Sequence, residues 1–568
     1  MSHDGLPQGT SLRGRRLAWR HRPLHADDPL AAWQGLLANR GLNESDAYFS
    51  PRLADLPDPD GMRDMPRAAE RLAAAITNAE HIHIFGDFDC DGVSGTAILV
   101  EALRAAGAQV SASIPHRADD GHGIGVEPVA QAVEAGATLG ISVDTGTTCF
   151  EACREAARLG FDLIVTDHHL PESALPEAFA LLNPARTDCG FAERLLCGTG
   201  VAFFLLVATW KRLKEAGHAP AFDLRRLLDR VAVATVADVM RLAGVNRILV
   251  HHGLLQLNTS PSPGMAALLA VARVKSAVTT ETIGFHIAPR INAAGRMRHG
   301  EEAMHLLTST DAAEAARLAT VLDDSNRQRR QVEAEVFKQA EARLNGSEVL
   351  AVYDEAWHAG VVGLAAGRLA RKHNRPAAVG FVTPDGRIRV SLRGRPGYHI
   401  GDLLNACAAS LDGFGGHAGA GGGTVRPGAW PDFVTAFGQA VDAQGGESAR
   451  HPELAIDGVL GLDALHAGLA ERLSRFEPLG QGNPPCQWLL QAVQIVDRRD
   501  MKGGVVRLRL QQPASRSGTL DAVVFGAGVL GEALRPGGTL SVVGQLQLDD
   551  WRGNGAVQFV VEDALGGD

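Results

Sequence analysis

From His81 onward the chain alternates short apolar runs with Ala- and Leu-rich runs long enough to be helices, and the apolar runs close on acids or histidines. "HIHIFGD", "QVSASIPHR", "LGISVDTG", "FDLIVTDHH" and "VAVATVADVM" read as strands that bracket helical stretches such as Gly95 to Ala106 and Glu151 to Leu159. Parallel neighbours need long crossover connections, usually helices, so the alternation predicts a parallel sheet covered by helices. Ligands of such sheets bind beyond the carboxyl ends of the strands. The polar residues fall there.

In "GDFDCDG", Asp87, Asp89 and Asp91 cluster at the tip of the first strand, with glycine opening a turn. Acids this close repel one another unless they are solvated or share a cation. Asp144 follows "GISV", Asp167, His168 and His169 follow "FDLIVT", and Asp238 lies in "VATVADVM". If these segments are neighbours in one sheet, their tips converge on one cleft. Carboxylate oxygens with imidazole nitrogen suit a pair of Mn²⁺ or Mg²⁺ ions, whereas a single zinc takes a smaller, closed ligand set. The calcium-loop pattern with its terminal glutamate is missing. Two ions roughly 4 Å apart suit in-line phosphoryl displacement, which favours phosphoester hydrolysis over hydride or acyl transfer.

The rest of the sequence narrows the class. A chain of 568 residues exceeds one hydrophobic core. Seven scattered cysteines without a Cys-x-x-Cys pair argue against a disulfide scaffold or a structural zinc cluster. No run reaches the apolar length of a membrane helix, and the basic start lacks an apolar stretch behind it, so the cytoplasm is the expected compartment. A net charge of -10 counts against broad coating by nucleic acid but leaves room for a local basic channel.

Organisation follows from pattern shifts. We expect an N-terminal arm and helical region over 1–78, a catalytic α/β domain over 79–302, connecting helices over 303–346, a smaller α/β domain over 347–430, a linker over 431–450 and a small β-barrel over 451–568. In the connector, Leu322, Val332, Val336 and Leu344 keep a helical period and Gly346 is its stop. "RIRVSLRGR" sets Arg387, Arg389, Ser391, Arg393 and Arg395 at alternate positions, one face of a strand if it is one. Aromatic content is only 5%, so no broad stacking platform is evident, and Trp19, Trp357 and Trp551 read as packing residues.

"GDFDCDG", "SVDTG", "TDHH" and "ATVADV" resemble the four motifs of the DHH phosphoesterases. "APRINAAGRM", "WHAGVVGLAAGRL" and "FGGHAGAGGG" resemble the DHHA1-containing RecJ branch, as do "FEPLGQGNPP" and "WRGNGAVQFVVED" further on. The resemblance runs from about residue 45 almost to the end. It implies a parallel-sheet DHH domain joined by a long helix to an α/β DHHA1 domain, followed by an OB-like β-barrel. It also implies 5′ to 3′ hydrolysis of single-stranded DNA to 5′-mononucleotides, in repair and recombination.

Position by position, the resemblance implies that Asp87, Asp89, Asp144, His168 and Asp238 hold two Mn²⁺ or Mg²⁺ ions, with Asp144 bridging them. His169 would work beside the reacting phosphate, and Asp167 would orient a ring or backbone nearby. His83, four residues before Asp87, is left open as a further ligand. Cys90 stands where the family commonly has alanine. Ser391, Arg393 and His417 would form a 5′-phosphate pocket, with Leu392 and Gly394 replacing residues usual there. Arg290, Asn292 and Arg296 are candidates for a passage that guides one strand. Single-strand-binding protein and a RecQ-type helicase are the implied partners; no membrane is. The alternatives are a small-molecule or dinucleotide phosphodiesterase, for which the third domain and arginine stripe are superfluous, and an inert scaffold, which should have lost its acids.

Overall fold

The computed structural model describes residues 10–115, 123–297, 300–446, 451–513, 515, 518–549 and 555–566. Trp551 and the start of "WRGNG", like His116 and Arg117 of "QVSASIPHR", lie outside the described residues. The chain forms two compact units. One comprises Pro51–Val332 with Glu477–Pro484, and the other the described residues up to Ser50, Glu333–Phe476 and the described residues from Pro485 onward. Among the described residues no helix is long and apolar enough to cross a membrane.

The first unit is built on a sheet of five parallel strands, β1 (His81–Phe85), β2 (Gln109–Ser113), β3 (Leu139–Val143), β4 (Asp162–Thr166) and β5 (Ala180–Leu182), in the order β2-β1-β3-β4-β5. Its central strand β3 is buried throughout, as expected of a sheet covered on both faces. Helices α1 (Cys90–Ala105), α2 (Gly198–Glu215) and α3 (Leu228–Ala237) cover it, and α4 (Gly244–Thr259) and α5 (Ala288–Met297) follow. Ile82, Ile84, Ile141, Ile164, Leu99 and Phe204 meet in the core.

The stretch expected as a linker over 431–450 instead opens with a helix, Trp430–Gln444, because Phe433, Phe437 and Val441 recur at helical spacing and are buried in a core with Val390 and Leu392. In the first unit two local expectations change. "VAVATVADVM" forms α3 rather than a strand. Leu228 to Thr235 are all buried, including Arg230, which pairs with Asp229 and Glu101. A continuous apolar run has no period that separates a wholly buried helix from a buried strand. The second change is at the "GDFDCDG" tip. The strand ends at Phe85, and Gly92 lies inside α1 instead of in a turn, with Asp89 as the helix N-cap.

A helix of 33 residues, α6 (Ala312–Leu344), occupies the expected connector, with Leu322, Val336 and Leu344 buried. It ends where Asn345 and Gly346 take φ values of 43° and 80°.

In the second unit, β6 (Leu350–Asp354), α7 (Ala359–His373), β7 (Ala377–Val382), β8 (Ile388–Arg393), β9 (Leu411–Gly416) and β10 (Ala420–Val425) build a sheet in the order β9-β10-β8-β7-β6. Farther on, β11 (Trp488–Met501), β12 (Val505–Gln511), β13 (Thr519–Val524), β14 (Thr539–Leu548) and β15 (Val557–Gly566) pair in the circuit β11-β12-β13-β15-β14-β11 and close a five-stranded barrel. Closure leaves no free edge among these strands.

The N-terminal arm joins this region. Arg16–Trp19 runs parallel to Glu453–Ile456, and His25–Ala26 pairs beside Val459 and Leu460. The buried Asp457 carboxylate fixes the join by accepting from Arg20 at 3.0 Å, Arg40 at 3.2 Å and the Gln487 amide at 2.8 Å. A buried charge is tolerated when it is paired and hydrogen-bonded in this way. Trp357 is buried and donates to Gln339, while Trp19 packs against the His25 ring. All seven cysteines are free.

Candidate metal centre

The parallel register aligns the carboxyl ends of β1, β3 and β4. Past these ends, the amides of Gly86, Asp144 and Asp167 donate to Ser113, Thr166 and Leu182 of neighbouring strands at 3.0, 2.9 and 3.0 Å. The next side chains therefore emerge side by side. Donor atoms of Asp87, Asp89 and Asp144, of Asp91, His168 and Asp238, and of Asp144, His168 and His169 each fall within 4.8 Å of one another.

Two helix N-termini shape the floor. Asp89 caps α1, accepting from the Asp91 and Gly92 amides at 2.9 and 3.1 Å. Asp91 reaches across to cap α2, accepting from Gly198 and Thr199 at 2.6 and 2.8 Å. Orphan amides and the helix dipoles favour carboxylates at both places. Gly92 and Gly198 are required by close approach. A Cβ at Gly92 would lie 2.5 Å from the Asp87 nitrogen, and one at Gly198 would lie 2.7 Å from the Asp144 Cα. Asp91 is thus a buried cap for α2 rather than a solvated third acid, and the sequence reading missed its partners Gly198 and Thr199. Their only sequence signal was a small-residue "CGTG" opening a long apolar helix.

Asp144 is 4% exposed and adopts φ 62°, a left-handed conformation uncommon for a non-glycine residue. Its Oδ1 and the Asp238 Oδ2 are buried and carry no hydrogen bond. His168 Nε2 stands 3.0 Å from the first and 3.5 Å from the second. Burial, then Asp91, Asp89 and Asp87, push the Asp144 carboxyl well above the usual carboxylate range. Burial and the charges of Asp91 and Asp89 push Asp238 from 3.8 up to about 8. Desolvation also lowers the His168 imidazole. Carboxylates that repel one another around two unsatisfied oxygens and an imidazole fit a cluster of hard or borderline divalent cations.

Asp167 lies outside these three groups of donors and is engaged by hydrogen bonds of its own. Its Oδ1 accepts from the His169 ring Nδ1 at 2.8 Å and the His168 amide at 2.7 Å, and its Oδ2 accepts from the Thr147 amide at 2.8 Å. These bonds overcome burial and lower Asp167 to about 2. The same ring bond raises His169, whose side chain is 59% exposed, to about 9. Buried Asn183, another residue missed in sequence, donates to Thr147 Oγ1 and the His169 carbonyl and holds the turn.

His83 meets its strand neighbours. Its Nδ1 and Nε2 share hydrogen bonds with Ser111 Oγ at 2.8 Å and Ser113 Oγ at 3.0 Å, so both ring nitrogens are engaged on β2. Burial, then His81, lower it to about 4.

The residues expected along a strand passage have internal partners. Arg290 pairs with Asp323 at 2.8 Å, and the Asn292 side-chain oxygen accepts from the Cys90 amide at 2.9 Å, bracing the start of α1. Arg296 lies at the end of α5.

In the second unit the arginine stripe is shorter than its sequence spacing. Only Arg389, Ser391 and Arg393 belong to β8, alternating with buried Val390 and Leu392. Arg387 lies before the strand beside Asp385, and Arg395 after it, donating to Asn374. His417 sits in the turn between β9 and β10, and Gly394 donates to Gly419 of that turn at 2.9 Å.

A five-stranded parallel sheet with Asp, Asp and Asp-His-His at adjacent strand tips defines an α/β protein of the DHH class. The DHH family N-terminal domain matches residues 81–235, the DHHA1 domain 346–443 and the RecJ OB domain 456–563. The chain belongs to the RecJ family. It is 34% identical over 581 residues to the single-stranded-DNA-specific exonuclease RecJ of Dickeya dadantii, covering 97% of this chain and 98% of that one. The crystal structure of RecJ from Thermus thermophilus in complex with Mn²⁺ superposes with a TM-score of 0.80 at 29% identity, over 97% of this chain and 80% of that one. The complex of that RecJ with Mg²⁺ gives 0.73 at 28% identity, over 97% and 79%.

Proposed function

We propose that the chain is a metal-dependent exonuclease that hydrolyses single-stranded DNA from its 5′ end and releases 5′-mononucleotides. The observation that carries this reading is the pair of buried, unsatisfied oxygens on Asp144 and Asp238, facing His168 within a ring of further acids. Asp87, Asp89, Asp144, His168 and Asp238 would hold two Mn²⁺ or Mg²⁺ ions. When bound, such ions lower the pKa of water and neutralise charge on both oxygens of an in-line phosphoryl displacement. Asp167 orients His169 and keeps its ring protonated, so that the exposed side of the imidazolium can donate to a phosphate oxygen. Ser391, Arg393 and His417 would receive the 5′ phosphate, for which a guanidinium fork is well shaped. Repair and recombination in the cytoplasm, alongside single-strand-binding protein and a RecQ-type helicase, is the setting this reading implies.

Metal dependence should appear in stability as well as turnover. The folded, metal-free protein holds a proton on Asp238 that the unfolded chain, near 3.8, releases. Its stability therefore falls as pH rises from about 4 towards the folded value near 8. A cation that displaces this proton binds more tightly as pH rises. Addition of Mn²⁺ should raise the melting temperature more at pH 7.5 than at pH 6. A pH-independent increment would remove the buried carboxylates from the ligand set.

The activity itself is tested by a time course on 3′-labelled single strands with a 5′ phosphate, a 5′ hydroxyl or a blocked 5′ end, beside a duplex control. Shortening only from a free 5′ end is the expected result, with R393A raising KM for the phosphorylated strand about 10- to 100-fold, as expected for loss of a charge-assisted pair. Turnover of a short dinucleotide without DNA hydrolysis would move the chain to the small-molecule branch of the class.

A further inference from the structure

Asp238 ends α3, and the chain reverses immediately behind it. The Asp238 and Met240 amides donate to Ala234 and Thr235 at 2.9 and 3.1 Å, and Val239 between them takes φ 56°. Glycine is the usual residue at such a left-handed helix end, and for a β-branched side chain this conformation is an outlier that its surroundings must hold. From one side, Asn246 donates to the Arg241 carbonyl at 3.1 Å. From the other side comes a distant part of the chain.

That part is Glu477–Pro484, which belongs to the same compact unit as the catalytic sheet. The Leu242 amide donates to the Gln481 carbonyl at 2.7 Å. Gly482 lies so close that a Cβ there would stand 2.4 Å from the Arg241 Cγ. Arg247 in α4 holds the same segment by donating to the Glu477 and Pro478 carbonyls at 3.0 and 3.4 Å, across 231 residues of sequence in the second case. The segment is itself rigid. Asn483, 7% exposed, donates to Pro478 at 2.8 Å, and Gly480 and Asn483 pair with each other at 2.9 and 3.0 Å. Thr280 Oγ1 and the Leu479 amide both donate to the Glu477 carboxylate.

We propose that Glu477–Pro484 is a positioning strap for Asp238. By gripping Arg241 and Leu242 it keeps Val239 left-handed and the Asp238 carboxylate turned towards His168, and so sets the affinity of one cation site. The inference rests on the assignment of Asp238 as a metal ligand.

The test is Mn²⁺ binding to the full-length protein without DNA, followed by isothermal titration calorimetry and Mn²⁺ electron paramagnetic resonance. G482V, which forces the strap off Arg241, should weaken one Mn²⁺ site about tenfold, the low end for groups that orient ligands from outside the coordination sphere. The half-activating Mn²⁺ concentration should rise equally while KM for single-stranded DNA stays the same. R241A added to G482V removes the side-chain clash but not the strain of a valine at φ 77°, and should restore Mn²⁺ affinity only in part. V239G added to G482V should also restore it, because glycine holds the left-handed turn without the strap. N483A, which removes the side-chain bond to Pro478, is the milder variant and should weaken the same site less than G482V does. A strap that merely stabilises the fold would lower the melting temperature and leave Mn²⁺ affinity unchanged. That outcome, or failure of V239G to restore affinity, overturns the proposal. Wild-type protein that binds no Mn²⁺, or D238N that binds it as tightly as wild type, overturns the metal-ligand assignment instead.

Discussion

Replacing Asp144 with alanine should reduce Mn²⁺-dependent turnover by more than about 10³-fold, since losing even one preorganised charge-stabilising donor costs about 10²–10³ in an active site. The expectation comes from position. Asp144 belongs to two of the three donor clusters, with Asp87 and Asp89 on one side and His168 and His169 on the other. Among the described residues its carboxylate is the group these two clusters share, as His168 is the one shared with the cluster of Asp91 and Asp238. The backbone is committed to that placement, with φ at 62° and Gly198 leaving room for the side chain. Binding of single-stranded DNA should persist, because the proposed phosphate contacts lie on Ser391, Arg393 and His417. D144N supplies the control for folding. It keeps the shape and removes an acid that burial and the neighbouring acids keep protonated in the folded, metal-free protein while the unfolded chain ionises it, so at neutral pH the metal-free variant should melt higher than wild type while the increment on adding Mn²⁺ shrinks. Near-normal Mn²⁺-dependent turnover by D144A would sink the bridging role.

Much of this site was legible because two signals coincided. Strand periodicity marked β1, β3 and β4, and a sheet of parallel strands brings the residues just past their ends together whatever the intervening sequence. Asp87, Asp144 and His168 could therefore be grouped before any distance was known. Asp238 does stand 3.5 Å from His168, but the run before it is a largely buried helix and not the strand its apolar pattern suggests. What stayed illegible depends on atoms far apart in sequence. Asp91 looks like one more acid until the amides of Gly198 and Thr199 meet it. The fate of His83 depends on Ser111 and Ser113 of the adjacent strand. The stripe of arginines was shortened because Asp385 and Asn374 hold its two ends outside β8.

The second large effect is expected at His169. Its Nδ1 is fixed by Asp167 while most of the side chain remains exposed, as the proposed donor role requires. H169A should lower kcat about 10²- to 10⁴-fold, the range of a positioned proton donor, with Mn²⁺ binding by the carboxylates largely kept. D167N separates this role from simple packing. The hydrogen bond from the ring to Asp167 is the first cause of the raised His169 value, which lies near 9 against an ordinary 6.5. A reaction that needs the protonated ring is supported below that value and declines as pH rises through it. With asparagine at 167 the stabilising charge is gone, so the alkaline limb of kcat should move down towards 6.5 while the loss at lower pH stays within about 10- to 100-fold. If H169A turns over like wild type, or if D167N leaves the limb where it was, the imidazolium is not the donor. The pairing with Asp167 would then serve only to fix the turn that carries His168, and the metal-side acids would carry the chemistry without it.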